Sequence, residues 1–287
     1  MNTRSLLWSN ATISLAAAGC VFASLVLSGT GGPTRGTAGF ALGLSAATWC
    51  AYNWQRHIKA TRQRGLRADH LAWQQRHALR LRVLALLLVP IAALPLMWTW
   101  FASYAVCNGQ PLQTWGLILG AGAITALYAG SPGLRGRRFA LRRIPGLKMI
   151  WIGGAWAVLT AIWPVWWKAL ESNLPLPDTT WNLALERFLV IAALTLPFDL
   201  RDRDWDAADM RTWPQLLGTA GTRVLGITLL CGALALRTTG LHQPWTAGIG
   251  LLPMVAMVAL AKENRPAGYF VALDALLMVD ALWLILS

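Results

Sequence analysis

Apolar runs of about 18 to 23 residues recur along the whole chain, each long enough to cross a hydrocarbon core of about 30 Å as a helix. Nine can be drawn, at roughly 8–28, 36–55, 83–106, 112–131, 147–167, 181–199, 220–236, 243–261 and 267–286. Only 13% of the 287 residues are charged, roughly half the share of a soluble domain. The implied fold class is all-α: a polytopic membrane protein in which about nine transmembrane helices form one domain over 1–287. The N-terminal run follows a single early Arg, as in a signal peptide. It is too long for one and lacks a clear small-residue cleavage site, so it reads as a retained first span. Asn10 opens an Asn-Ala-Thr triplet that fits a glycosylation sequon by letters alone.

The formal charge of +13 raises the question of nucleic acid, and its distribution answers it. All but four of the 25 Lys and Arg lie at the N-terminus or in and beside the loops after spans 2, 4, 6 and 8; the exceptions are Arg35, Lys168, Arg187 and Arg237. Such one-sidedness is the positive-inside pattern. It predicts a cytoplasmic N-terminus and cytoplasmic loops at about 56–82, 132–146 and 200–219, in an integral membrane protein of the bacterial inner membrane. The partners it leaves are membrane lipids and anionic ligands rather than nucleic acid. Tryptophans 98, 100, 115, 163, 166, 167, 181 and 245 fall at the outer ends of the spans, as an interfacial aromatic belt would. Cys20, Cys50, Cys107 and Cys231 form no CxxC pair and suggest neither a disulfide framework nor a thiolate metal site.

The 56–82 loop is nearly all basic and suits an amphipathic helix lying against the membrane. Its Asp69, His70 and His77 are poorly spaced for one ion, because the two histidines stand two helical turns apart. The densest charge is at Phe198 to Gly218, "FDLRDRDWDAADMRTWPQLLG". On a helix, Asp199, Asp202 and Asp206 fall within about 60° of arc, with Asp204 and Arg201 on other faces. Left unpaired at mid-membrane, three aspartates would cost on the order of 8–10 kcal/mol. They therefore sit at the cytoplasmic end or hold cations. Oxygen-only ligands at this spacing suit Mg²⁺ shared with substrate phosphates. A solvated loop of weak Asp–Arg pairs fits the spacing equally well.

This segment resembles the second aspartate motif of the UbiA superfamily of intramembrane prenyltransferases, D-x-x-D-x-x-x-D followed by R-T-x-P and a small residue. Asp199, Asp202 and Asp206 match it, then Arg211, Thr212, Pro214 and Gly218. Pro145 and Lys148 resemble the superfamily's P-x-x-K, and nine spans with large loops after the second and sixth match its layout. The resemblance implies an enzyme that moves an isoprenyl group from its diphosphate to a small acceptor, often aromatic, with Mg²⁺. It makes Asp199, Asp202 and Asp206 the catalytic and metal-binding residues. It makes Lys148 and Arg211 contacts of the diphosphate.

The superfamily's first motif, an N-D-x-x-D-x-x-x-D sequence at the end of span 2, is degenerate here. Asn53 is present, but no carboxylate stands between residue 50 and Asp69; Gln55, Arg56, His57 and Lys59 occupy the region. Asn53 and Arg56 thereby join the expected diphosphate-binding set. The same loss favours an alternative, a non-catalytic UbiA-fold protein that binds a lipid or partner. A small-solute transporter would need paired broken helices or an internal repeat, and neither is evident. Among the other intramembrane charges, Arg187 and Asp280 fall at similar depth, about 9–10 Å from the outer boundary, and are expected to pair. Asp274 lies nearer the cytoplasmic side and is a candidate to border the cavity.

Overall fold

The computed structural model describes residues 3–30, 34–61, 68–105, 111–128, 141, 144, 146–204 and 211–286. Every described secondary element is helical. A short α1 (Thr3–Ser9) leads into α2 (Ala11–Leu27), and the break falls at Asn10, whose backbone is left-handed (φ 59°). Next come α3 (Arg35–Thr61), α4 (Ala68–Arg76), α5 (Ala78–Ala105) and α6 (Pro111–Leu127). A π turn at Val158–Ile162 joins α7 (Lys148–Ala157) to α8 (Trp163–Glu171). The chain continues as α9 (Thr180–Asp202) and α10 (Trp213–Ala235), with a second π turn at Leu236–Gly240. A 3₁₀ stretch at Trp245–Leu251 feeds α11 (Leu252–Ala259), and α12 (Ala267–Leu286) is the last described helix.

Helix lies in each of the nine predicted apolar segments. Four helical stretches, 78–103, 148–171, 213–240 and 267–286, are by length and composition able to cross a membrane. With so many apolar helices, this is an integral membrane protein. The predicted loops are shorter than expected. Helix α3 runs on to Thr61, α4 fills part of 56–82, and α9 and α10 leave only 203–212 between them. Most of 132–146 lies outside the described residues.

Helix α9 is central, packed between α7 and α10, and α12 lies along α2. Its inward residues Val190, Ala192, Ala193, Leu196 and Leu200 are fully buried. Helix α5 stands at the periphery against α3 and α8, with Leu79 and Leu86 each 75% exposed. Such residues suit contact with lipid tails, which are as apolar as leucine. Small residues let α3 and α5 touch: a Cβ on Gly43 would come within 2.4 Å of the Pro95 ring and 2.9 Å of the Ile91 carbonyl oxygen. Pro95 has no N–H to offer Ile91, so that carbonyl has no helical partner at that position.

Pro164 has the same effect inside the 148–171 span. The Thr160 carbonyl, which a proline at 164 cannot serve, accepts a hydrogen bond from Ser24 Oγ at 2.7 Å. Ser24 in turn lies 3.4 Å from Arg187 Nη2, and Arg187 Nη1 donates to Cys20 Sγ at 2.9 Å. The expected Arg187–Asp280 pair is therefore not formed. Asp280 instead takes Arg237, at 2.7 Å (Nη1–Oδ1) and 2.6 Å (Nη2–Oδ2). Arg237 Nε also donates to Glu186 Oε1 at 2.8 Å, and Nη1 to the Ala247 carbonyl at 3.0 Å. Arg237 read in sequence as an outer-loop residue. The π turn carries it inward, where a guanidinium with two carboxylates and a carbonyl around it loses little by leaving water.

The aromatic belt also divides. Trp100, Trp181 and Trp245 are exposed, as a belt requires, but Trp163, Trp166 and Trp167 are buried at 4% each. Trp167 stacks on Phe40 at 4.8 Å, Trp166 meets Trp115 edge-on at 5.7 Å, and Trp163 donates its indole N–H to Thr99 Oγ1 at 2.9 Å. Depth along a span is legible from sequence, whereas rotation about the helix axis is set by packing.

Candidate functional site: a charged cavity where α3 and α9 end and α7 begins

A cavity of about 240 Å³ opens between α2, α3, α6, α7, α9 and α12. Its deeper wall is apolar, including Ile124, Ile152, Ile191 and Leu194. Its charged wall carries Arg56, Lys148, Asp199, Arg201, Asp202 and Asp274. Helix periodicity explains part of this set. Tyr52, Gln55 and Arg56, spaced i, i+3, i+4, share one face of α3 and all line the cavity. Asn53 is turned some 100° from Tyr52.

On α9, Asp199 is buried and paired with Lys148, Nζ to Oδ1 at 2.7 Å. Lys148 is the first residue of α7, so the pair ties the start of one helix to the end of another. Three residues on, Asp202 is gripped by Arg201, with Nε at 2.7 Å from Oδ1 and Nη2 at 3.0 Å from Oδ2. The Arg201 guanidinium also lies over the Phe270 ring at 4.6 Å and that of Phe198 at 5.3 Å. Helical spacing sets Arg201 on another face; near the end of α9 its long side chain reaches back to the cavity. Arg56 approaches from the opposite side. Its Nη1 donates to the carbonyls of Leu7, at 3.2 Å, and Trp8, and lies 3.4 Å from His70 Nε2. No carboxylate among the described residues is within salt-bridge distance of Arg56. Burial, and then the Arg201 charge, lower its pKa to about 10, so it stays charged at neutral pH. His70 stacks on Trp8 at 5.3 Å, docking α4 over α1.

Two predicted contacts are not brought here. Asn53 donates to the Trp49 carbonyl at 3.0 Å and the Ser9 carbonyl at 3.4 Å, and lines a second cavity with Trp54, His57 and Arg82. Arg211 is exposed, with a left-handed backbone (φ 43°), and is not part of the charged wall. Asp206, Pro145 and the side chains of Lys59 and Asp69 lie outside the described residues. Beyond Arg211 the motif has a structural role. Gln215 Oε1 accepts from the Thr212 N–H at 2.9 Å to start α10, and Gly218, at φ 66° and ψ −176°, breaks that helix where a side chain would be strained. Sequence reasoning passed over Asn10 and Trp151. Both line the cavity, and the Asn10 amide and Trp151 indole nitrogen are buried without hydrogen-bond partners.

Among the described residues no group of three His, Cys, Asp or Glu could hold a metal ion. Asp199 and Asp202 each already have a side-chain cation within 3.0 Å, and the facing helix brings an arginine where carboxylates were expected. The described residues do not fit a preformed Mg²⁺ cradle. They fit an anion with several oxygens, met by cations and N–H donors.

The fold that holds this cavity is UbiA-like. A UbiA homologue from Archaeoglobus fulgidus, solved bound to GPP and Mg²⁺, aligns over 99% of this chain and 98% of its own at a TM-score of 0.54 and 13% identity. Two further structures of a UbiA homologue from that organism, one bound to Cd²⁺, align over the same shares at TM-scores of 0.48 and 0.44 and identities of 13% and 14%. No family model and no curated protein matches the sequence.

Proposed function

We propose that the chain is a single-domain intramembrane prenyltransferase, moving an isoprenyl group from its diphosphate to a small acceptor, with an electron-rich aromatic ring as the natural class. The observation that carries this reading is the convergence of Lys148, Asp199, Asp202 and Arg56 on one cavity of UbiA-like fold whose deeper wall is apolar. The diphosphate would lie at the charged wall and the isoprenyl chain along Ile152, Ile191 and Leu194. As the allylic C–O bond breaks, its electron pair leaves with the diphosphate, whose growing charge falls to Lys148, Arg56 and Arg201. The apolar wall keeps water from the carbocation until the acceptor attacks. The acceptor then loses a proton, and Asp274, which lines the same cavity, is the group offered to take it.

Mg²⁺ would supply further positive charge against the diphosphate; by motif its ligands are Asp199, Asp202 and Asp206. Because the described carboxylates are already paired, no step is assigned to it. Orientation in a bacterial inner membrane, with the N-terminus and the 203–212 connection cytoplasmic, follows from the basic loops.

Detergent-purified protein is expected to bind GPP and release diphosphate from it when an aromatic acceptor is present, with Lys148→Ala abolishing release. Failure to bind GPP would overturn the reading. A second reading, a non-catalytic protein holding an anionic lipid or partner, is favoured by the pairing of both aspartates. It predicts binding of GPP with no release under any acceptor.

A further inference from the structure

We infer that this cavity holds its diphosphate directly, through side-chain cations and N–H donors, and needs no divalent cation to do so. The inference rests on the isoprenyl-diphosphate reading above and sharpens it. Three independent observations carry it. First, each described aspartate of the second motif is neutralised within the protein, Asp199 by Lys148 at 2.7 Å and Asp202 by both nitrogens of the Arg201 fork. A metal would have to break these bonds to reach its ligands, whereas a diphosphate can share the same cations.

Second, the charge on α3 is reversed relative to what a metal site needs. Arg56 lines the cavity on the face where carboxylates would be required, and its contacts among the described residues are two carbonyls and an imidazole. A half-buried guanidinium whose carboxylate neighbours in the cavity, Asp202 and Asp274, stand beyond salt-bridge distance is only partly compensated, at a cost. An anion in the cavity would offset that cost, and a dication would increase it.

Third, the cavity wall includes buried donors with nothing to donate to. The Asn10 amide, both Nδ2 and Oδ1, and the Trp151 indole nitrogen lack partners. Native proteins rarely leave such groups orphaned. N–H donors cannot ligate a metal, but they suit phosphate oxygens. Asn10 is held in place by the left-handed break between α1 and α2, and the Leu7 and Trp8 carbonyls just before it fix Arg56. The N-terminal helix thus positions two members of the proposed anion site.

Calorimetric titration of the full chain in detergent, with GPP and with inorganic pyrophosphate, in excess EDTA and in Mg²⁺, tests the inference. GPP affinity in EDTA is expected to stay within about threefold of that in Mg²⁺. Arg56→Gln should weaken binding in EDTA by about tenfold or more, the value of a hydrogen bond to a charged group. Trp151→Phe, which removes one N–H and little volume, should weaken it about three- to tenfold with an unchanged melting temperature. Binding that requires Mg²⁺ and is lost in Asp202→Asn would overturn the inference while leaving the prenyl-diphosphate reading intact. Equal EDTA affinities for wild type, Arg56→Gln and Trp151→Phe would also overturn it. Absence of binding in both buffers by folded protein would remove both.

Discussion

Helices α9 and α12 each carry charge at two depths, and the two levels are built on different terms. In the half predicted to be outer, Glu186 and Asp280 close around Arg237 with all three side chains at 0–1% exposure, and the ion group borders neither cavity described above. At the end predicted to be cytoplasmic, Asp199 and Asp274 from the same two helices face a cavity shared with Arg56, Lys148 and Arg201. The outer group is enclosed, with Glu186 Oε2 left without a hydrogen-bond partner. The inner one faces open space and includes the orphan donors of Asn10 and Trp151. An intramembrane charge is commonly read as functional, yet here the more deeply buried cluster has the look of a rivet. What separates the two is unspent hydrogen-bonding capacity beside open space.

The sharpest way to break that contrast is to remove the shared cation of the outer group. Arg237→Ala leaves two buried carboxylates uncompensated and should cost about 3–5 kcal/mol, read as a large fall in melting temperature in detergent. A variant that melts normally would show the group to be dispensable. At the inner level Lys148→Gln should act chiefly on ligand. GPP affinity is expected to fall about ten- to a hundredfold, with a smaller loss of stability than in Arg237→Ala. The reverse ranking would make the two levels alike. The Lys168–Glu171 pair, 2.7 Å apart with Glu171 45% exposed, supplies the lower bound. Glu171→Gln should change stability by less than about 1 kcal/mol and leave GPP binding untouched.

Much of this was legible in the letters. The apolar runs located the helices, and the spacing of Asp199 and Asp202 put both on the cavity face. The i, i+3, i+4 relation of Tyr52, Gln55 and Arg56 already held the information that Asn53 turns away, since a helix cannot present four consecutive residues to one site. Arg237 was misjudged because a polar "RTTG" run resembles a loop, and nothing in its letters reveals a π turn. Trp163, Trp166 and Trp167 have the depth of an interfacial belt but the rotation of a core, and rotation depends on neighbours far away in sequence. Asn10 and Trp151 gave no signal at all, because an orphan donor exists only once the surrounding helices have packed.

The Arg237 cluster has a consequence for how the protein is made. Its three charges enter the membrane on α9, on the turn after α10 and on α12, in that order of synthesis. On its own, each polar group costs about 2.5–3.5 kcal/mol at the centre of a helix during insertion. Glu186 and Arg237 can find one another early, but the fork of Arg237 is filled only when Asp280 arrives. Helix α12 therefore works as a quality check on assembly: a nascent bundle that lacks it keeps an unsatisfied guanidinium in lipid, the kind of defect by which surveillance machinery tells an unfinished membrane protein from a finished one.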